Sequence, residues 1–431
     1  DQLKIKSEIG PGQFRALGLP SSTRLAGRVG MSANVDLYQD GTRRGAGRLD
    51  LTGAVLSWPD VGWVKAAAVP AVLNIAFESH RNGAVLLDSF SLTGGGLAFE
   101  GSARFDVKNN LISLTGRNLT FGATRLSLEL TVLPNGLYKL DLAGPSLDLR
   151  TFVPRWLDGK PSDDEPPLDL NFKIDLAYLT DEVALRRLRG VGRRQAGEWL
   201  SANMRGEMAG GQSVGFSVRK EDKGRRFNVI AGNAGGIARA LGLYPDARGG
   251  TMFLSFLVPG PDDSDDIIIG NLRADNFRVV KAKVLTRLLT LGSLTGLSDT
   301  LNDKGITFTR LTVPFTMRKR ILHVERARAV GPALAIIATG DYARDGEVLG
   351  FQGAIVPSYS INSVLGVIPI LGELLIGRKG EGVFAFTYKV AGTLPRPKVA
   401  VNLLSALAPG FLRRIVEGLE KPAVDKEFLK R

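Results

Sequence analysis

The sequence predicts a mainly β protein: an elongated, twisted antiparallel sheet curled into an apolar groove, with a few short helices near the C-terminal end. Two observations predict the strands, and glycine content stands out beside them. Apolar and polar residues alternate with period two through most of the chain. Turn residues recur between the alternating runs. Glycine, 52 of 431 residues, exceeds its usual share of about 7%. Nothing resembles the strand–helix alternation of a doubly wound sheet.

The elements follow in order. MSANVDLYQDG sets Met31, Ala33, Val35 and Leu37 against Ser32, Asn34 and Asp36. RLDLTGAVLSW continues with Leu49, Leu51 and Val55, and ARFDVKNN places Phe105 and Val107 opposite Arg104, Asp106 and Lys108. In TRLSLELTVLPNGLYKLDLAG, Leu126, Leu128, Leu130 and Val132 share a face. Asn135-Gly136 then turns the chain into Leu140 and Leu142, a strong hairpin signal. DGKPSDDEPPLDL, acidic and rich in proline, reads as a boundary, and alternation resumes in LDLNFKIDLAYL. LRRLRGVGRRQ clusters Arg186, Arg187, Arg189, Arg193 and Arg194; a solvated, edge-guarding strand is favoured there over a dedicated anion site. AGNAGGIARALGLY has glycines before a short helix pattern but lacks the spacing of a phosphate-binding loop. VVKAKVLTRLLTLGSLTGLSDTL is the first convincing helix, with Val280, Val284, Leu288 and Leu291 at helical spacing. Strands return in the last third. The expected segments are 1–157, an N-terminal β groove; 168–275, a middle β segment with a short helix; 276–304, a helical insertion; and 305–431, a C-terminal β segment ending in an amphipathic helix. Such a half-apolar meander must bury one face in a sandwich, a barrel or an open trough, and periodicity does not choose among them.

Composition narrows the function classes. A 44% hydrophobic, 23% charged chain has an apolar interior and is not disordered throughout. Absence of cysteine fits an oxidising envelope compartment. The two histidines, His80 and His323, lie far apart, so a zinc centre or histidine triad has little material, and no metal or cofactor is expected. No Gly-x-Ser-x-Gly elbow or His-Glu-x-x-His occurs, and no carboxylate pair stands out, so catalysis is not expected. Net charge is +13 with a pI near 9.9, which fits nucleic acid, an anionic membrane surface or acidic ligands. Nucleic acid is disfavoured because aromatics such as Phe384, Phe386 and Tyr388 sit within the apolar alternation instead of among basic residues. The chain has no initiating Met, signal peptide or run of eighteen apolar residues, so it reads as an excised soluble portion, and any membrane anchor would lie upstream.

The last half resembles a known family. GITF at Gly305–Phe308, ARAVGPALAIIATGDY, the P-x-Y-x-x-N stretch at Pro357, Tyr359 and Asn362, I-P-x-L-G at Ile368–Gly372 and L-A-P-G-x-L-R at Leu407–Arg413 together resemble the AsmA-like C-terminal region of YhdP/TamB-type bacterial envelope proteins. GGIARALGLYPDARGGTMFLS resembles the segment preceding that region, so the likeness covers roughly residues 200 to 420. It departs where the family has proline after the asparagine of the last strand; here Asn402 is followed by Leu403. The resemblance implies a periplasmic protein, anchored in the inner membrane, that moves phospholipid between inner and outer membranes in a β groove.

On that reading the lipid-facing candidates are Leu49, Leu51, Val55, Phe105, Val107, Leu126, Leu128, Leu130, Leu140, Leu142, Phe308, Phe384, Phe386 and Tyr388. Phe411, Leu412, Arg413, Arg414 and Ile415 form a cationic amphipathic end suited to a membrane or an envelope protein partner. The alternative is a structural or assembly factor of the envelope whose β core is filled by its own side chains.

Overall fold

The structure, a computed structural model, describes residues 1–10, 24–58, 62–152, 165–240, 244, 246–260, 267–291, 304–357, 386–394 and 396–402. The protein is mainly β and divides into two compact units, residues 1–211 and 212–431; the division falls inside the 168–275 segment of the sequence reading.

In the first unit the main sheet begins with β1 (Gln2–Ile9), β3 (Val29–Leu37) and β4 (Arg43–Asp50). It continues with β7 (Ala71–Ser79), β8 (Val85–Gly94), β9 (Leu97–Phe105) and β10 (Leu111–Phe121). Next come β11 (Thr124–Val132), β12 (Tyr138–Asp148), β13 (Leu168–Tyr178), β14 (Ala184–Gln195) and β15 (Glu198–Glu207). Each strand pairs with the next, so the order along the sheet is the order along the chain. A separate three-stranded sheet joins β2 (Arg24–Gly27), β5 (Ala54–Trp58) and β6 (Trp63–Lys65).

Local chemistry explains the hairpins. At Asn135-Gly136 the glycine takes φ +79°, the Gly136 amide donates to the Leu133 carbonyl, and Asn135 Oδ1 accepts from the Leu137 amide. Asp106 Oδ1 accepts from the amides of Lys108 and Asn110 and closes the β9–β10 turn in the same manner. The expectation of a purely antiparallel sheet needs one correction: β12 and β13 run parallel. Their connection from Asp148 to Leu168 is therefore a crossover and not a hairpin, and a parallel pair requires a dozen or more residues for it.

In the second unit the order is again sequential: β16 (Ser213–Glu221), β17 (Gly224–Ala231), β18 (Ala247–Pro259), β19 (Ile268–Val279) and β20 (Ile306–Arg318). Then follow β21 (Ile321–Val330), β22 (Leu334–Ala343), β23 (Val348–Pro357), β24 (Phe386–Thr393) and β25 (Arg396–Asn402). Two short helices, Ala234–Ala240 and Lys283–Leu291, interrupt the strands. At the end strands, β1 pairs only with β3 and β25 only with β24 among the described strands, and no described pairing closes either unit into a barrel.

Each unit has its own core. In the first, Leu49 and Ala71 of the main sheet and Leu51 just past β4 pack with Ala54 and Leu56 of the small sheet, with Met31, Leu73, Leu92, Leu25 and Trp63 against them. Lys65 pins this cap. Its side chain is 1% exposed and its ammonium donates to the carbonyls of Thr52, Ala54 and Ala66. In the second, Leu288 and Leu289 of the Lys283–Leu291 helix pack on Ile306, Phe308, Leu334, Ile355, Phe386 and Tyr388.

Candidate functional site: an apolar sheet face half sealed and half open

Cross-strand register aligns the apolar side chains of the first unit into rows. One row runs Phe77, Leu87, Ala103, Leu114, Leu130, Leu140, Leu170, Gly192 and Ala202, each directly opposite the next. A second, beside it, runs Ile75, Phe90, Gly101, Gly116, Leu128, Leu142, Phe172, Gly190 and Met204. The intervening residues, among them Ser127, Glu129, Thr131, Lys139, Asp141, Asn171 and Lys173, point to the opposite, solvated face.

The two rows differ from the end of the sheet beyond them. There Leu49, Leu97, Leu119, Leu126, Ile174 and Leu188 are all less than 9% exposed. In the rows, Leu87, Phe90, Leu114, Leu128, Leu130, Leu140, Leu142, Leu170 and Phe172 are only half buried. The same strands therefore carry a sealed apolar end and an open apolar stretch. From β7 to β15, at about 4.8 Å per strand, the open stretch is about 40 Å across.

Glycine shapes this face. Aromatic rings lie down over glycines of neighbouring strands: Phe99 covers Gly116, Phe172 covers Gly190, and Trp199 covers Gly192. A Cβ at Gly190 would meet the Phe172 ring at 2.6 Å and Met204 Cβ at 2.7 Å, so any larger residue would make the ring stand up. The second unit repeats the device with Phe315 over Gly270. Its half-buried apolar row contains Phe227, Phe256, Gly270 and Phe315, with Phe227 and Phe256 stacked at 5.0 Å and 2°.

The sequence-predicted candidates fall into distinct groups. Leu128, Leu130, Leu140 and Leu142 stand together on the open stretch, and Phe105 ends β9, half buried. Leu49, Leu51 and Leu126 lie in the sealed end. Val55 is corrected: the chain turns at Leu51–Gly53, so it belongs to the small sheet, where Ala54 and Leu56 are the buried residues and Val55 points away from them. Val107 is also corrected: it lies past the end of β9 in the Asp106 turn and is 56% exposed. Phe308, Phe386 and Tyr388 are 2%, 0% and 6% exposed beneath the Lys283–Leu291 helix, so their face is already occupied by the chain itself. Tyr388 Oη donates to the Ile337 carbonyl at 3.0 Å, and burial raises its hydroxyl pKa above the ordinary value. Within the helix, Leu288 is buried as its spacing predicts, whereas Leu291 is 46% exposed and Leu289 takes the second buried place. Phe384, Phe411, Leu412, Arg413, Arg414 and Ile415 lie outside the described residues, as do Tyr359, Asn362 and the motifs at Ile368–Gly372 and Leu407–Arg413.

Sequence reasoning missed Phe90, Phe99, Phe172, Leu170 and the aromatic row of the second unit. The signal was present: LDLNFKIDLAYL alternates, and glycine inside an alternating run marks close backbone or ring approach. His323 pairs across strands with Asp341, Nδ1 to Oδ1 2.6 Å, as an ordinary strand residue. Among the described residues no cluster of His, Cys, Asp or Glu is arranged to hold a metal, and no helix is long and apolar enough to cross a membrane. The arrangement of the described residues offers a broad apolar area on which hydrocarbon can lie. Comparison of the chain with protein-family models, with characterised proteins and with solved structures gave no match.

Proposed function

We propose that the protein binds phospholipid acyl chains on the open apolar stretch and acts as a periplasmic lipid-transfer segment between inner and outer membranes. The observation that carries the binding is the contrast within single strands: Leu126 is sealed while Leu128 and Leu130 beside it are half open. Sealing one end of these strands while leaving about 40 Å of leucine and phenylalanine wet has no folding rationale, because burying that area would stabilise the fold. Each methylene taken from water contributes about 0.8 kcal/mol, so a sixteen-carbon chain gains on the order of 10 kcal/mol before ordering costs. Half the hydrocarbon thickness of a bilayer is about 15 Å, shorter than the stretch, so an acyl chain fits at many positions along it. Rows of near-equal apolar side chains over flat-lying rings favour sliding over fixed seating. The periplasmic setting and the two membranes rest on the likeness of residues 200 to 420 to AsmA-like proteins and on the absence of cysteine.

Native mass spectrometry of purified full-length chain tests the reading. Co-purified phospholipid is expected, and it is expected to be lost from L140D/L170D and retained by S127D/T131D on the solvated face. Protein free of lipid, or equal retention by both variants, overturns it.

A second reading, a structural or assembly factor of the envelope, is favoured by the self-filled cores under the Lys283–Leu291 helix and the small sheet. It requires the open rows to be covered by a protein partner and not by lipid.

A further inference from the structure

The solvated face of β13–β15 carries an arrangement that strand stability does not explain. Lys173 lies directly opposite Arg189, and Arg189 directly opposite Arg205. Directly opposed residues on a sheet face are about 5 Å apart at Cβ, and like charges so placed are destabilising. All three side chains are exposed, and among the described residues none of the three has an ion pair. Their neighbours are treated differently. Arg187 pairs with Glu207, Arg193 with Asp169 at 2.7 Å, and Arg194 with Glu165. Of the nearby carboxylates, Glu207 is thus engaged, and Asp141, which accepts from the Asn171 amide, and Asp175 stand beside the ladder without a paired cation among the described residues. Three of the five arginines in LRRLRGVGRRQ are thus neutralised locally, while Arg189 is set between two further cations.

We propose that Lys173, Arg189 and Arg205 form a docking ladder for an anionic lipid surface. Three cations in line across three strands span about 10 Å. They sit on an open face, not in a concavity, so the fitting partner is a surface of closely spaced phosphates and not an enclosed small anion. The exposed Val191, 56% accessible between Arg189 and Arg193, adds an apolar contact at headgroup level. The aromatic residue on this face, Tyr178, ends β13 beneath Arg150, and no aromatic residue stands beside the three cations among the described residues, so an interleaved platform on which nucleic-acid bases stack is missing. A Lys or Arg near an anionic membrane is worth about a factor of five in binding, so three supply well over tenfold. The ladder stands on cross-strand register alone and does not depend on the apolar face holding lipid.

Flotation of the full chain with phosphatidylcholine vesicles, with and without one quarter phosphatidylglycerol, tests it. The wild type is expected to float only with the anionic vesicles. K173Q/R189Q/R205Q is expected to float about tenfold less, and K4Q/K6Q/R104Q, an equal charge change elsewhere, within about twofold of wild type. The difference between anionic and neutral vesicles separates this surface from the apolar face, which meets acyl chains in both. The ladder variant should melt no lower than wild type, since its repulsion is relieved. Equal loss in both charge variants, no flotation of the wild type, or a lower melting temperature for the ladder variant overturns the proposal. So does a ladder variant that loses duplex DNA binding while floating unchanged.

Discussion

At the scale of single residues, Lys65 shows how a charge is made structural. It is 1% exposed, yet its ammonium satisfies three backbone carbonyls in the turns that hold the small sheet on the main one. Desolvation dominates its electrostatics and lowers its pKa from the ordinary 10.5, with Asp50 opposing the shift weakly. Lys65→Met keeps the alkyl stem but orphans the Thr52, Ala54 and Ala66 carbonyls. The expected loss in the first unit's urea transition is roughly 2 to 3 kcal/mol. A loss below about 0.5 kcal/mol would mean that water replaces the ammonium. The sign of the pH effect follows from the same shift. The unfolded chain holds the lysine proton more tightly than the folded chain, so stability rises with pH between the lowered pKa and 10.5. In Lys65→Met that alkaline rise is expected to disappear, which a urea titration over the window measures.

At the scale of elements, most strands were legible because period-two alternation is local and the turns carry their own chemistry, as at Asn135-Gly136. What was not legible depended on distant partners. The stretch from Asp158 to Leu170 read as a boundary, and only the pairing of Tyr138 with Leu168 makes the β12–β13 connection a crossover. RLAG at Arg24–Gly27 is too short to announce a strand, so the small sheet and the fate of Val55 were hidden. Phe308, Phe386 and Tyr388 alternate as groove residues would; that a helix covers them is a tertiary fact. Likewise the opposition of Lys173, Arg189 and Arg205 exists only once register is known. The covering helix yields a prediction at its own scale. Leu289 is 0% exposed, so Leu289→Ala is expected to destabilise the second unit by about 2 to 5 kcal/mol. Hydrogen exchange should quicken at Phe308, Phe386 and Tyr388 while the Leu128–Leu142 pairing of β11 and β12 keeps its protection. Unchanged exchange at the three aromatics would show that the helix is an ornament on a self-sufficient sheet.

At the scale of the whole molecule, the question is whether the open rows are empty, lipid-filled or protein-covered, and stability answers it. A ligand that binds only the folded chain stabilises it by RT ln(1 + [L]/Kd), about 2.7 kcal/mol at a hundredfold excess over Kd. For a unit of roughly two hundred residues each kcal/mol moves the melting temperature by about 2 to 4 °C. Removing lipid with detergent and re-exchanging into buffer is therefore expected to lower the melting temperature by about 5 to 10 °C. It should also raise the fluorescence of an apolar dye, since Leu128, Leu130, Leu140 and Leu170 would face water. Returning phospholipid should restore both, and L140D/L170D should respond to neither step. If stripping leaves melting and dye binding unchanged, the apolar face is complete without lipid, and the structural reading takes its place. A partner protein that alone suppresses the dye would then be the occupant of the rows.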